Sequence, residues 1–382
     1  MAKKIVYCTP SLYIAGGVER VLTTKVNWLA EHTDWDVTII LTDGKGKAPY
    51  YPLSPRVHVI NLDIGFEALW GMPFLRKGLV YLQKQRTFRR RLTETLMRLH
   101  PDITVSLLRR EINFITDIKD GSRKWGEIHI NRAHYRNFEA GQTNPLKNLF
   151  SRFWMRSLVR KLRRLDRFVV LTEEDRKSWN ELDNVHVIPN PLAFWSEEHS
   201  ALSEKRIIAV GRYSHEKGYD KLIQAFALVS QRHPDWQLYA FGSGDPSPYA
   251  AMAKEAGVAH CCHLMGATKD IIKEYCHSSI FVLSSRFEGF GLVLVEAMNC
   301  GLPVVSFACP TGPLQIIHDG SNGLLAANGD AADLADKICR VIEDPSLMQR
   351  LQQGGLHTSE QYSVQHIMQQ WLSMMNADCS KQ

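Results

Sequence analysis

The chain has 382 residues, which is longer than one compact domain usually is, so two domains are predicted. Its 45% hydrophobic and 23% charged residues are typical of a globular protein with a large core. No apolar run approaches the roughly 18 residues of a membrane-spanning helix, and no signal-peptide cleavage pattern follows the first strand, so a cytoplasmic location is expected.

Charge is distributed unevenly along the chain. Residues 1–190 carry 32 Lys and Arg against 20 Asp and Glu, whereas residues 191–382 carry 14 against 20. A basic half followed by an acidic half indicates that the first half meets an anionic partner. A membrane, a nucleic acid and a phosphorylated acceptor are the candidates.

Short β-rich apolar runs alternate with helical stretches, which favours parallel α/β architecture. In the first half the pattern predicts strands near 4–9, 36–42, 57–63, 102–108, 126–131 and 167–172. It predicts helices near 18–31, 78–99 and 146–165. The segment from Val185 to Pro191 contains two prolines, which end the first domain at about residue 190.

The alternation restarts at Arg206, after a polar segment, 195–205, that is predicted to be a linker. Further strands are predicted near 236–242, 262–266, 280–284, 302–307 and 323–326, with a last helix near 363–375. The second domain is assigned to 191–360, and the terminal helix, 361–378, is expected to pack back on the first. Open parallel sheets bind ligands at the carboxyl ends of their strands.

Two runs look superficially like metal sites. Ala259–His263 contains two His and two Cys in succession, but neighbouring strand residues point to opposite faces, so an ordinary strand is favoured. The eight cysteines include no Cys-x-x-Cys pair. Asp34 and Asp36 form an Asp-x-Asp sequence, but it precedes a strand instead of following one and is interpreted as a surface turn.

The most specific motif runs from Glu288 to Glu296, between the strand near 280–284 and a helix. Gly289 and Gly291 allow a ligand to approach the backbone, and the helix amino end presents N–H groups to a phosphate. Glu296 is placed to accept hydrogen bonds from ribose hydroxyls, and Glu288 to reach a sugar. A glycine-rich turn with two solvated carboxylates is the alternative.

A second motif follows the strand that begins at Arg206. Arg212 and Lys217 flank the turn and are suited to clamp a diphosphate and to stabilise charge on a departing nucleotide. Two exposed basic residues at an ordinary turn are the alternative. Gly242 and Gly244 end the next strand with another flexible turn, and three such loops favour a binding site.

A glycine pair, Gly16 and Gly17, joins the first strand to the first helix. It is a weak signal for phosphate binding, and a plain tight turn explains it equally well. The G-x-G-x-x-G fingerprint of dinucleotide-binding proteins is missing, and no acidic residue ends the following strand in the expected way.

The pairing of Gly211-Arg212…Lys217-Gly218 with Glu288 and Glu296 resembles family 4 of the retaining glycosyltransferases. That family has the GT-B fold, in which two Rossmann-like domains face each other across a cleft. The resemblance covers essentially the whole chain, strongly from about 206 to 330 and thinly from about 45 to 125. Further segments similar to the family are Gly16–Arg20, Pro303–Ser306 and Asp319–Leu325.

The resemblance implies roles for the second-half motifs. Arg212 and Lys217 would bind the donor diphosphate, Glu296 the ribose, and Glu288 the transferred sugar. The backbone amides that would also meet the phosphates belong to Phe290, Gly291 and Leu292. Family members need no metal, so no cofactor is expected.

The family's amino-terminal catalytic histidine falls in the run Ile128–His134. His129 and His134 are both candidates, and His134 is preferred because it lies past the predicted strand. Gln315 is a departure, because the family usually has an acidic residue there, and its contribution is left open.

The implied function is transfer of a hexose or N-acetylhexosamine from a nucleotide-diphosphate sugar, with UDP taken from the family. The expected acceptor is lipid-linked or an oligosaccharide in cell-surface polysaccharide assembly. A nucleotide-sugar epimerase of the same fold is one alternative, although it would need further acid–base residues. A nucleic-acid-binding protein is another, but no zinc finger, RNA-binding strand or helix-turn-helix signature is present, so no nucleic-acid partner is expected.

Two segments, 76–98 and 147–167, each carry eight Lys and Arg and one acidic residue. In 147–167 an apolar stripe that includes Trp154 and Leu158 lies opposite a row of arginines. This layout is typical of a helix that lies on the inner face of an anionic membrane. It is equally typical of a core-facing helix with a solvated basic side, and both interpretations are kept.

Overall fold

The computed structural model describes residues 2–137 and 145–379, without the side chains at positions 74, 75, 134, 136, 137 and 145–150. The chain forms two compact units. Unit 1 comprises Met1–Ala193 and Ile367–Gln382, and unit 2 comprises Phe194–His366. The sequence had placed this division after residue 190 and had assigned the terminal helix to the first domain.

Unit 1 is built on a seven-stranded parallel sheet in the order β3-β2-β1-β4-β5-β6-β7. Its strands are β1 (Lys4–Thr9), β2 (Asp36–Leu41), β3 (Val57–Asn61), β4 (Ile103–Ser106), β5 (Arg123–Glu127), β6 (Arg167–Val170) and β7 (Val185–Val187). Its first helices are α1 (Gly17–His32), α2 (Phe74–Leu99), α3 (Pro145–Leu162) and α4 (Glu173–Ser178). The inner strands are almost continuously apolar because helices cover both faces of such a sheet.

Unit 2 contains a six-stranded parallel sheet in the order β10-β9-β8-β11-β12-β13. Its strands are β8 (Arg206–Val210), β9 (Gln237–Phe241), β10 (Cys262–Met265), β11 (Ile280–Leu283), β12 (Val304–Phe307) and β13 (Leu324–Ala326). Its helices are α5 (Tyr219–Arg232), α6 (Ser247–Glu255), α7 (Ile271–Cys276), α8 (Leu292–Asn299), α9 (Gly312–Ile316), α10 (Ala331–Glu343) and α11 (Pro345–Glu360). The last helix of the chain, α12 (Val364–Cys379), belongs to unit 1 from Ile367 onward.

Each sheet has a point where the strand order reverses, between β1 and β4 in unit 1 and between β8 and β11 in unit 2. Loops that leave the carboxyl ends of such a strand pair diverge and leave a crevice, where ligands of open α/β sheets bind. In unit 2 these two loops are 211–218 and 284–291, so they contain the strongest motifs of the sequence. The parallel α/β prediction is confirmed for both units.

Two strand predictions for unit 1 were wrong. The strand expected near 126–131 is β5, which runs from Arg123 to Glu127. It begins earlier than predicted because the charge of buried Lys124 is neutralised by an ion pair with Asp120, which makes a polar residue acceptable inside the strand. The edge strand β7 was not predicted, since the prolines beyond it suggested irregular structure. They follow the strand without interrupting it.

The predicted linker 195–205 is an anchored part of unit 2. Asn299 accepts a hydrogen bond from the backbone of Ser196 at 2.8 Å, and the Ser200 hydroxyl donates to the carbonyl of Ser278 at 2.5 Å. Polar composition suggested a solvated segment, but here the hydroxyl and backbone groups satisfy buried partners of unit 2.

Helix α3 uses its apolar stripe internally. Leu158, Val159 and Leu162 are buried in the core of unit 1, and Trp154 packs against them. The stripe expected to face a membrane therefore faces the core, and Arg152, Arg156 and Arg160 form the exposed side. None of the described helices combines the length and apolar composition that crossing a bilayer requires.

A buried ion pair connects α1, β5 and α12 inside unit 1. The ammonium of Lys25, only 1% exposed, lies 2.7 and 2.6 Å from the two carboxylate oxygens of Glu127, which is 2% exposed. It also lies 3.5 Å from the centre of the Trp371 ring. Burial would raise the pKa of Glu127, but the nearby charges of Lys25 and His129 outweigh it and lower that pKa to about 2.

We expect Lys25→Met to reduce the free energy of unfolding by about 3–5 kcal/mol, because it leaves a buried carboxylate without its main counterion. The double variant Lys25→Met/Glu127→Leu should recover most of this loss, since an apolar pair often replaces a buried ion pair without penalty. Urea unfolding followed by tryptophan fluorescence measures both.

Lys45→Met is the control, because Lys45 and Asp63 form an exposed pair in the same unit. Its effect should stay within about 1 kcal/mol. Equal effects of Lys25→Met and Lys45→Met would contradict a structural role for the buried pair.

Candidate active site

Lys217 occupies the turn that leaves β8. It ends a short 3-10 turn, His215–Lys217, and its aliphatic stem packs over Gly211, whose absent Cβ would lie 3.3 Å from Lys217 Cδ. Gly218 follows with a φ of 63°, and a Cβ there would collide with the carbonyl oxygen of Ser284. Glycine at 218 therefore lets the β8 and β11 loops touch through their backbones.

Lys217 and Glu288 form an ion pair across the two loops. Lys217 Nζ lies 2.6 Å from Glu288 Oε1, and the same oxygen accepts a hydrogen bond from Ser285 Oγ at 2.7 Å. The backbone of Glu288 is also fixed, because its N–H donates to the carbonyl of Pro310 at 2.8 Å. The sequence had assigned these side chains to a phosphate and a sugar, and the structure brings them into direct contact.

Arg212 lies apart from this pair. Its guanidinium is 67% exposed and donates to Glu216 Oε1 at 2.8 Å, four residues further along the same turn. An exposed ion pair of this kind contributes little free energy. The guanidinium can therefore exchange Glu216 for another anion without a large penalty.

Residues that the sequence analysis did not single out hold the two loops together. Arg286 donates two hydrogen bonds to Asp220, at 2.9 and 2.7 Å, and another to the carbonyl of His215 at 2.8 Å. These bonds hold the pKa of the Asp220 carboxyl below its usual value. Ser284 Oγ donates to the carbonyl of Lys217 at 2.9 Å. The position of Arg286, two residues before Glu288 in a strand-end loop, was the available signal.

Helix α8 begins beside the ion pair. Gly291 precedes it with a φ of 85°, and no side chain caps the first turn, which starts at Leu292. Phe290 is buried, and Gly289 before it accepts a hydrogen bond from Thr311 at 3.2 Å. Uncapped amide groups and the helix dipole favour an anion at this position.

Glu296 lies in the second turn of α8 and is only 2% exposed. Its Oε2 accepts a hydrogen bond from the hydroxyl of Tyr275 at 3.4 Å. The structure therefore gives this carboxylate an internal partner. Gln315, at the position where an acidic residue was expected, is half-buried on α9.

The turn after β9 touches the turn after β8. A Cβ on Gly242 would collide with the carbonyl oxygen of Gly211. The N–H of Tyr213 donates to the carbonyl of Ser243 at 2.8 Å, and Gly244 has a φ of 105°. The loops after β8, β9 and β11 thus form one continuous backbone surface at the carboxyl edge of the sheet.

The unit 1 candidates are less fully described. Gly16 and Gly17 start α1, and the carboxylate of Glu19 lies directly against Gly16. His134 lies in the turn Arg132–Asn137, and its side chain is outside the described part of the structure. His129 is buried just beyond β5, with Nε2 3.2 Å from Glu127 Oε1.

Among the described residues one group places three metal-binding atoms within reach of each other, formed by His233, Cys339 and Glu343. Glu343 already accepts hydrogen bonds from His233 at 2.9 Å and from Arg232 at 2.8 Å. A neighbouring guanidinium disfavours a cation, so the group is an ordinary polar network. The run at Ala259–His263 forms no such group in the described structure.

These features are those of a two-domain α/β protein that binds an anionic ligand. Cationic side chains and closely packed glycine loops lie at the topological switch point of the unit 2 sheet. Residues 194–357 match the family of glycosyl transferases group 1. Unit 2 therefore contains a glycosyl transferases group 1 domain, which confirms the resemblance seen in the sequence.

Relatives and solved structures are similar over nearly the whole chain. An uncharacterised glycosyltransferase of Haemophilus influenzae is 27% identical over 379 residues, covering 98% of this chain and 100% of the relative. The amylovoran biosynthesis glycosyltransferase AmsD of Erwinia amylovora is 24% identical over 381 residues, covering 95% and 96%. A TarM variant of Staphylococcus aureus, solved with fondaparinux, α-GlcNAc-glycerol and UDP, has a TM-score of 0.75 at 17% identity, covering 98% and 100%. That last likeness establishes the fold as GT-B.

We expect Gly242→Ala to destabilise unit 2 by about 1–3 kcal/mol, because the added methyl group collides with the backbone at Gly211. Gly266→Ala is a matched control, since Gly266 also follows a strand end and its added Cβ would meet no atom within 4 Å. Thermal unfolding followed by circular dichroism compares them. Similar melting temperatures for both variants would contradict the close approach of the two loops.

Proposed function

We propose that this protein transfers a hexose or N-acetylhexosamine, with retention of anomeric configuration, from a nucleotide-diphosphate sugar to a lipid-linked or oligosaccharide acceptor. Uridine diphosphate is the proposed nucleotide, and assembly of a cell-surface polysaccharide in the cytoplasm is the proposed context. The relatives support this, since AmsD is named for amylovoran biosynthesis and the TarM variant was solved with UDP.

The observation that carries the proposal is the contact between Lys217 and Glu288 at 2.6 Å, beside the uncapped start of α8. An ammonium group and free helix amides within one crevice suit the negative charge of a diphosphate. A carboxylate at the same place suits the hydroxyl groups of the attached sugar. When the donor binds, Lys217 would release Glu288 and pair with the diphosphate.

Arg212 would complete the diphosphate site. Its guanidinium is exposed and paired with Glu216 on the same turn, so it can turn to a phosphate and form paired hydrogen bonds. Glu296 would bind the ribose by exchanging its bond from Tyr275 for the sugar hydroxyls. No metal ion is required in this scheme, because cationic side chains and helix amides neutralise the leaving group.

The geometry favours attack of the acceptor on the face that the nucleotide leaves. Double displacement would need a nucleophilic carboxylate poised beneath the anomeric carbon. Glu288 is the motif-placed carboxylate of this crevice, and its Oε1 is held by Lys217 and Ser285. An oxygen paired in this way suits hydrogen bonding better than nucleophilic attack. The leaving phosphate would then take the acceptor proton.

Unit 1 would bind the acceptor. His134 is the proposed positioning residue there, while the Gly16–Gly17 loop would contact the acceptor or a phosphate. His134 is preferred to His129, whose side chain is 8% exposed and lies 3.2 Å from Glu127 Oε1. Neither the epimerase nor the nucleic-acid-binding alternative is favoured, because residues 194–357 match glycosyltransferases.

A panel of nucleotide sugars with UDP, GDP and ADP leaving groups tests the proposal directly. We expect turnover with a UDP-sugar and a product of retained configuration by NMR. Replacing both Arg212 and Lys217 by Ala should lower kcat/KM at least about a hundredfold, since each charge-assisted hydrogen bond contributes about 1.5–3 kcal/mol.

Lys221→Ala is the control, because Lys221 is a cation in the first turn of α5, four residues beyond Lys217, and donates to the side chain of Gln224 at 3.2 Å. It should leave kcat/KM unchanged. Near-native turnover by the Arg212/Lys217 double variant would contradict the assignment of these residues to the diphosphate. A product of inverted configuration would contradict the retaining mechanism.

Substitutions of Glu288 and Glu296 should affect different kinetic and binding parameters. We expect Glu288→Gln to lower kcat more than it weakens nucleotide binding, because Glu288 is assigned to the sugar. Glu296→Gln should weaken UDP binding more than it lowers kcat. Isothermal titration with UDP and steady-state kinetics measure both, and equal effects on affinity alone would contradict these roles.

His134→Ala should lower kcat about a hundredfold, the usual contribution of a positioning or acid–base residue. The protein should stay folded by circular dichroism, and UDP affinity should not change.

A covalent glycosyl-enzyme trapped at Glu288 would overturn front-face attack.

A further inference from the structure

Unit 1 exposes three large apolar side chains close together in sequence. Trp70, Leu79 and Leu82 are 71%, 73% and 57% exposed. Trp70 follows a short 3-10 turn, Phe66–Leu69, and the two leucines lie in the first turns of α2. Single exposed apolar residues are ordinary, but three within a short stretch of sequence favour an interaction surface. These three residues are called the Trp70 patch.

The two leucines of the patch lie on the outward side of α2. Leu79, Leu82, Arg86 and Arg90 are spaced by three and four residues, which places them on one face of the helix. The opposite face packs into the core through Phe88, Leu92 and Leu96. Leucines near the start of the helix are therefore continued by arginines along the same face.

The charged residues between Glu67 and Glu94 are all basic. Residues 68–93 contain seven Lys and Arg and no Asp or Glu. Some of these cations are engaged, since Lys84 donates to the carbonyl of Ile64 and Arg91 to that of Leu62. Arg76, Lys77, Arg86, Arg89 and Arg90 are exposed. Arg89 and Arg90 meet carboxylates only at 3.5 and 3.9 Å, so their charge remains largely directed to solvent.

We propose that the Trp70 patch and the arginine face of α2 dock unit 1 on an anionic lipid bilayer. The apolar side chains match the boundary of the acyl chains, and the flanking arginines match the anionic headgroups of such a surface. Tryptophan is suited to this boundary because its ring is apolar and its N–H is polar. A protein partner fits less well, since charged residues are depleted in the centre of protein interfaces.

This membrane contact is separate from the proposed transfer reaction. It lies on α2, whereas the sequence had indicated α3. The apolar stripe of α3 is buried, and among its described residues Phe153 is the large apolar side chain that α3 exposes. Helix α3 therefore offers arginines with little apolar surface, whereas α2 offers both. The two helices make different predictions for the same binding assay.

The test is sedimentation of the full chain with vesicles of phosphatidylcholine alone and with 30% phosphatidylglycerol added (about 0.1 M salt). The wild type should bind the anionic vesicles, and binding should fall as salt is raised to about 1 M, because the Debye length shortens from about 10 to 3 Å. Trp70→Ser/Leu79→Ser/Leu82→Ser should lower the partition coefficient at least a hundredfold, about tenfold per leucine. Arg86→Glu/Arg90→Glu should lower it about tenfold or more.

Matched controls separate this surface from general stickiness and from α3. Trp195→Ser/Leu228→Ser/Met252→Ser removes one exposed tryptophan and two exposed aliphatic side chains of unit 2, and should leave vesicle binding unchanged. Arg156→Glu/Arg160→Glu should have a smaller effect than reversal on α2. UDP binding by every variant is measured in parallel, so failure of vesicle binding can be distinguished from failure of the proposed transfer reaction.

Three results would overturn the proposal. The first is a wild type that ignores anionic vesicles at low salt. The second is full binding by the Trp70-patch variant, or loss of binding only on α3 reversal. The third is a wild-type dimer that the Trp70-patch variant converts to a monomer while vesicles are ignored, since a second copy would then be the occupant.

Discussion

The contact between Lys217 and Glu288 organises the candidate active site, because it joins two loops that diverge from the switch point of the unit 2 sheet. An ion pair half shielded from water holds its partners more firmly than an exposed one. Arg286 also joins these loops by donating to the carbonyl of His215, and it bonds to Asp220 at the start of α5. The crevice is therefore shaped before any ligand enters, which lowers the ordering free energy that binding must overcome.

Close backbone approach is the second constraint on this edge. Gly218 and Gly242 lie where a Cβ would collide with the neighbouring loop, so the β8 loop is clamped between its two neighbours. Gly242 is required by packing, Gly291 by a left-handed backbone at the start of α8, and Gly218 by both. Three glycines that look alike in the sequence thus serve two different physical purposes.

Much of the fold was predictable because strands buried on both faces are nearly continuous apolar runs, as in β1 and β2. Prediction failed where an ion-pair partner changed the environment of a polar residue, as Asp120, four residues earlier, does for Lys124 in β5. The motif residues were found from local spacing, but their pairing was not. Nothing in the sequence indicates that Lys217 contacts Glu288, or that Arg286 reaches Asp220, because both contacts depend on which strands become neighbours.

The position of α12 has a consequence for how the chain is made. Lys25 and Trp125 precede unit 2 in the sequence, yet their partners Trp371 and Asp378 are translated only after it. Domains usually fold as they emerge, the amino-terminal one first. Here the unit 2 sequence is complete before unit 1 has its final helix. A nascent chain must therefore leave the Lys25 site open to water until α12 has been translated, and a truncation that removes α12 would damage the unit that was synthesised first.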